Sequence, residues 1–131
     1  AAGAEVVTDM PVALGGNDSA ASPGWLLRTA LASCAVTRIA MEAASRGIGL
    51  HTLEAHATSR SDLRGLVGVA EADGSRVPAG PLAMDLHVRI GALGVEAGLL
   101  RALVEATPGC SPVTAALEQP LAVGLHVEVT G

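Results

Sequence analysis

Two cysteines, a few arginines and four histidines are the residues through which this chain could do chemistry near neutral pH. Cys34 lies within LLRTALASCAVTRIAMEAA, with Arg38 four residues further on and Glu42 four beyond that. On a helix this spacing stacks a thiol, a guanidinium and a carboxylate along one face. A free thiol titrates at about 8.5 and apolar burial raises it, so a nucleophilic Cys34 needs a positive charge or several donors beside it. Arg38 is placed to supply the charge, and Glu42 to orient Arg38. The plainer reading makes Cys34 a small buried hydrophobe, with Arg38 and Glu42 an ordinary helix-surface or interface pair. Residue spacing alone leaves both readings open.

Other candidate chemistry is weaker. Neither cysteine has a second cysteine or a histidine at metal-ligand spacing, so no zinc site is expected. His56, His87 and His126 fall on the polar side of alternating segments, near Glu54, Asp85 and Glu128. They could chelate a metal only if those segments pair in register, and polar positions of a half-exposed sheet usually just meet water. His51 has no reading beyond the start of a strand. The GGND run at 15–18 lacks the GK[ST] of a phosphate loop and does not match GxGxxG.

The elements that must hold these groups are visible in the pattern. Ser22 suits a helix N-cap, Pro23 the first helical position and Arg46-Gly47 a close, which predicts one long helix from 22 to 47. Leu27, Ala30, Leu31, Cys34, Arg38 and Met41 share its apolar face, so the thiol is expected to point inward. Residues 4–14 read as a strand limited by Pro11, followed by a turn-rich loop. Leu53, Ala55 and Ala57 alternate with polar residues in a second strand over 48–60, and Met84, Leu86, Val88 and Ile90 do so in another from Leu82. Residues 62–81, rich in Gly and Pro, suit an edge strand or hairpin in a loose connection. A helix over 95–107 has Leu99, Leu100, Leu103 and Val104 on one face and ends at Pro108-Gly109. Ser111-Pro112 can start a short helical turn, and alternating Leu121, Val123, Leu125, Val127 and Val129 predict a last strand. Strands with one polar face beside a well-buried helix imply an α+β layer fold, with helices on one face of a largely antiparallel sheet.

Composition narrows the partners. The 131 residues suit one domain, and the core must be built from aliphatic residues because there is no Phe or Tyr and a single Trp. Such a core lacks large anchors, and an Ala-rich helix allows close approach of another helix, so a homo-oligomer is expected. Eight arginines and no lysine face thirteen acidic residues, a net charge of −5 without a basic cluster, so nucleic acid and anionic membranes are excluded as partners. No run approaches the roughly 20 apolar residues of a membrane span. AAGAEVV has neither the basic nor the apolar region of an export signal, which makes a cytoplasmic protein the expectation.

Three features together resemble the OsmC/Ohr family, the osmotically inducible and organic hydroperoxide resistance proteins. They are Leu14-Gly15-Gly16 leading to Ser22-Pro23, Cys34 eleven residues after Pro23 within LASC, and Cys110-Ser111-Pro112-Val113 after the next helix. The order of elements agrees from about residue 4 onward, so residues 1–131 are expected to form a single OsmC/Ohr-like domain. The resemblance implies an intertwined homodimer, with a long central cysteine-bearing helix packed on a largely antiparallel sheet. It also implies a peroxidase for organic hydroperoxides, in which Cys34 becomes a sulfenic acid and Cys110 resolves it. A dithiol reductant protein, lipoyl-linked in type, would recycle the disulfide, with no other cofactor. Arg38 is the expected activating charge, while Trp25 and Leu31 are candidates for an apolar substrate pocket, Trp25 equally for core or dimer contact. Two departures stand out. The family's peroxidases carry a Glu directly after the helix proline and an Arg in an earlier loop, whereas position 24 here is Gly and no basic residue precedes Arg28. The alternative is a non-catalytic member that binds a small apolar ligand or senses redox state.

Overall fold

The computed structural model describes residues 2–131. Its frame is a long helix, α1 (Pro23–Ser45), lying on a two-stranded antiparallel sheet of β1 (Leu50–Arg60) and β2 (Ala83–Ala92). A short helix, α2 (Leu63–Leu66), follows β1; α3 (Ala97–Glu105) and α4 (Pro112–Glu118) follow β2. This is the expected α+β arrangement, with helices on one face of an antiparallel sheet.

The ends of α1 are set by local hydrogen bonds. Ser22 Oγ accepts from the Trp25 N–H at 3.1 Å, and Pro23 takes the first helical position. At the other end Gly47 adopts φ +67°, which lets its N–H reach the Ala44 carbonyl (3.1 Å) and the Ile48 N–H reach that of Ala43 (2.9 Å). That pair of bonds satisfies carbonyls the helix would otherwise leave open, and it turns the chain directly into β1.

The buried row of α1 is Leu31, Ala35, Ile39 and Ala43. It lies one position round from the face expected from the sequence: Cys34 and Arg38 flank it half-buried, while Met41 and Trp25 are exposed. The alanines of this row allow α1 to sit close to the sheet. Ile39, Ala43 and Leu103 of α3 form the centre of the core, surrounded by Ile48, Leu50, Leu53, Val88, Ile90 and Val104. Register follows from the alternation. Leu53↔Ile90, Ala55↔Val88 and Ala57↔Leu86 face the helices; Glu54↔Arg89, His56↔His87 and Thr58↔Asp85 face outward.

Two expected strands are not formed. Around residues 4–14 the chain makes a 3-10 turn (Val12–Leu14) within a tight loop tied by Asp9. The Asp9 carboxylate accepts from the backbone N–H groups of Met10, Asn17 and Ser19 and from the Ser19 hydroxyl, at 2.6 to 3.1 Å. Side-chain acceptance of backbone donors replaces the strand ladder here, and Pro11 has no N–H to give it. Gly16 is needed for this closure, since a Cβ there would sit 1.9 Å from the Met10 carbonyl oxygen. The other missing strand is the last one. Residues 119–131 carry no secondary structure, and Leu121, Val123, Leu125, Val127 and Val129 are exposed along their length. Alternation marks a segment able to pair, yet among the described residues the two-stranded sheet keeps both its outer edges unpaired and the tail joins neither. The 62–81 connection, expected as an edge strand or hairpin, closes only a minimal hairpin. It holds α2, capped by Asp62, and a single bridge between Ala70 and Arg76.

The hydrogen bonds of Asp9, chiefly from Ser19, lower its pKa from 3.8 to about 2. A depressed carboxyl stabilises the folded state above the unfolded pKa and loses that contribution as pH falls through the folded one. The stability difference between the parent and Asp9→Asn is therefore expected to be constant above pH 4 and to shrink between about 4 and 2. Urea unfolding followed by Trp25 fluorescence across that range measures it; a difference that does not change with pH would refute the assignment.

Candidate active site

Cys34, Arg38 and Cys110 line one pocket of about 390 Å³, together with Ser33, Thr37, Met41 and Pro112. Helix α1 supplies one wall through residues at i, i+4 spacing, with the thiol half-buried. The corner between α3 and α4 supplies the other. There the chain makes a 3-10 turn, Pro108–Cys110, held by two buried hydroxyls. Thr107 Oγ1 donates to the Val104 carbonyl (2.8 Å) and Ser111 Oγ to that of Thr107 (3.0 Å), so neither is left unpaired in the interior. The Ser111 carbonyl then accepts the first bond of α4 from Ala115. This corner leaves Cys110 exposed, lining the same pocket as the half-buried Cys34. Both cysteines are free thiols.

The electrostatics centre on Glu42, which two arginines share. Its Oε1 receives Arg46 Nη2 at 2.7 Å and Nε at 2.8 Å, whereas Arg38 Nη2 approaches Oε2 only to 3.6 Å. Arg46 therefore holds the carboxylate and Arg38 is left with a long contact. Arg38 Nε is buried and has no hydrogen-bond partner among the described residues. A buried charged donor without an acceptor is costly, and the residue that carries it lines the thiol-bearing pocket. A thiolate or an alkoxide meets that need.

The remaining candidates lie elsewhere. Trp25 is half exposed and lines a separate cleft of about 680 Å³ between α1 and β1, which adjoins the thiol pocket only through Ser33. Leu31 is buried and faces Pro81, Met84, Leu86 and Pro108 in a third pocket. Trp25 and Leu31, expected to line the thiol pocket, thus line other pockets, and the thiol pocket is completed by Ser33, Thr37, Met41 and Pro112. Gly24 puts no carboxylate at the head of α1, and Arg28 donates to Ser59 Oγ (3.1 Å). His126 lies in the unpaired tail, outside the ladder that sets His56 against His87. Among the described residues no group of three His, Cys, Asp or Glu side chains is arranged to hold a metal, and no helix is long and apolar enough to cross a membrane. Thr107 and Ser111 went unremarked in the sequence as positioning residues; the signal was a Thr and a Ser four apart bracketing Pro-Gly-Cys.

The chain belongs to the OsmC-like protein family, whose model matches residues 15–126. Solved structures agree in fold. A protein of Psychrobacter arcticus, provisionally described as an osmotic stress induced and detoxification response protein, is 27% identical with a TM-score of 0.60, over 86% of this chain and 72% of its own. An organic hydroperoxide resistance protein of Elizabethkingia anophelis is 22% identical with a TM-score of 0.62, over 83% of this chain and 69% of its own. An OsmC-like protein of Mycoplasma pneumoniae is 16% identical with a TM-score of 0.63, over 83% and 68%. No curated protein sequence matches the chain significantly.

Proposed function

We propose that this protein is a homodimeric thiol peroxidase for organic hydroperoxides. The observation that carries the reading is one pocket lined by both thiols and by Arg38, a guanidinium whose buried Nε has no partner among the described residues. The Cys34 thiolate attacks one peroxide oxygen, the O–O bond breaks, and the sulfur becomes a sulfenic acid while the other oxygen leaves as an alkoxide that takes up a proton. Arg38 stabilises negative charge on the sulfur before attack and on the leaving oxygen after it. The Cys110 thiol then attacks the sulfenic sulfur, forming a disulfide and releasing water. A dithiol reductant protein, lipoyl-linked in type, returns both thiols by exchange; the exposed position of Cys110 favours its access. Met41 and Pro112 give the pocket an apolar side suited to an alkyl group.

Dimerisation is supported by the apolar tail. Five alternating side chains from Leu121 to Val129 lie in water, and a second chain would give them a sheet to join. The two free thiols favour the cytoplasm.

Intact mass of the fully reduced protein after a small excess of alkyl hydroperoxide tests the reading. The parent is expected to lose two hydrogens rapidly, Cys110→Ser to gain an oxygen, and Cys34→Ser to remain unchanged. Slow oxygen addition that ignores which cysteine is present would overturn the peroxidase and leave the non-catalytic, ligand-binding alternative.

A further inference from the structure

We propose that the outer face of the sheet carries a site for a divalent transition metal ion, formed by His56 and His87. It is separate from the thiol pocket, which lies between α1 and the α3–α4 corner on the helical side of the molecule. Antiparallel register sets His56 directly opposite His87. Side chains so paired leave the same face of the sheet with Cβ atoms about 4.5–5.5 Å apart, a span two imidazoles can close on one ion.

The pair cannot easily drift. A slip of one residue would turn Leu53, Ala55 and Ala57 outward and bury the histidines, so the core behind the sheet holds the two rings together. The next outward pair reinforces the register: Arg89 Nη2 and Nε donate to the Glu54 carboxylate at 2.7 and 3.0 Å. That ion pair also occupies the acidic neighbour that would otherwise compete for the imidazoles. Both histidines are exposed, and neither ring makes a hydrogen bond to another described residue, so their nitrogens are open to a ligand.

The chemistry selects the ion. Neutral imidazole is a borderline donor that suits Ni²⁺, Cu²⁺ and Zn²⁺ rather than Mg²⁺ or Ca²⁺, which prefer oxygen. No third His, Cys, Asp or Glu joins the pair, so water fills the remaining positions and binding is reversible, unlike a closed four-ligand zinc site. Asp85, two residues from His87 on the same face, adds negative charge without ligating.

Ni²⁺ titration of a Cys34→Ser/Cys110→Ser background, by calorimetry and by thermal unfolding, tests the site without interference from thiols. One ion per chain is expected, with a Tm that rises with Ni²⁺ concentration, because an ion bound only by the folded state stabilises it. His56→Asn and His87→Asn, both at exposed positions, should each abolish saturable binding and the Tm rise while keeping the metal-free Tm. His126→Asn should leave both unchanged. Absence of binding, binding that survives loss of either paired histidine, or binding lost with His126 would overturn the proposal.

Discussion

Replacing Arg38 with alanine is expected to slow oxidation of Cys34 by an alkyl hydroperoxide about 10²–10³-fold, the usual cost of removing one preorganised stabiliser of developing negative charge. The expectation rests on how the charges of α1 are shared. Arg46 takes the close contacts to Glu42, so Arg38, which lines the pocket, keeps an unsatisfied Nε instead of spending its donors on the carboxylate. Stopped-flow rates measure the effect, and an unchanged urea-unfolding midpoint in the variant separates a catalytic from a structural role. Arg38→Lys should recover part of the rate, since it keeps the charge and loses the planar set of donors. An Arg38→Ala protein with the parent's rate would remove Arg38 from the mechanism.

Leu103→Ala is expected to destabilise the fold by about 2–5 kcal/mol, with the cavity it leaves adding to the lost burial. Leu103 is fully buried and joins α3 to Ile39 and Ala43 of α1. With no Phe or Tyr in the chain and its single Trp half exposed, no large neighbour stands ready to fill the gap. Leu99→Ala on the same helix is the comparison, because Leu99 is 48% exposed and should cost far less. Urea unfolding reads both: the midpoint should fall for Leu103→Ala at unchanged slope. Equal effects at the two positions would mean that α3 does not pack as described.

The same core accounts for a misread face. Residues 27–41 offer several overlapping apolar stripes, and the one through Cys34 and Met41 is as regular as the one through Leu31, Ala35 and Ile39. Alanines fit either solution. What selects the second is a partner, since Ile39 and Ala43 meet Leu103 from a helix some sixty residues later in the chain. The consequence for the site is direct, as Cys34 and Arg38 come to rest at the edge of the buried row, half-buried and able to line a pocket.

By itself the sequence determined whatever depends on neighbours along the chain. The ends of α1 follow from Ser22, Pro23 and Gly47; β1 and β2 follow from alternation; the thiol and guanidinium share a side of the helix by their spacing. These rest on backbone hydrogen bonds closed within a few residues or on a period, both of which local composition encodes. Only the tertiary structure decided the rest: that Cys110, at a corner held by Thr107 and Ser111, shares a pocket with Cys34, that Glu42 sides with Arg46, and that His56 stands opposite His87. It also decided that two strand-like segments, one tied up by Asp9 and the other the apolar tail, remain outside the sheet. Each of these depends on which groups from distant parts of the chain meet, and alternation or spacing can prepare a segment for a partner without specifying whether one arrives.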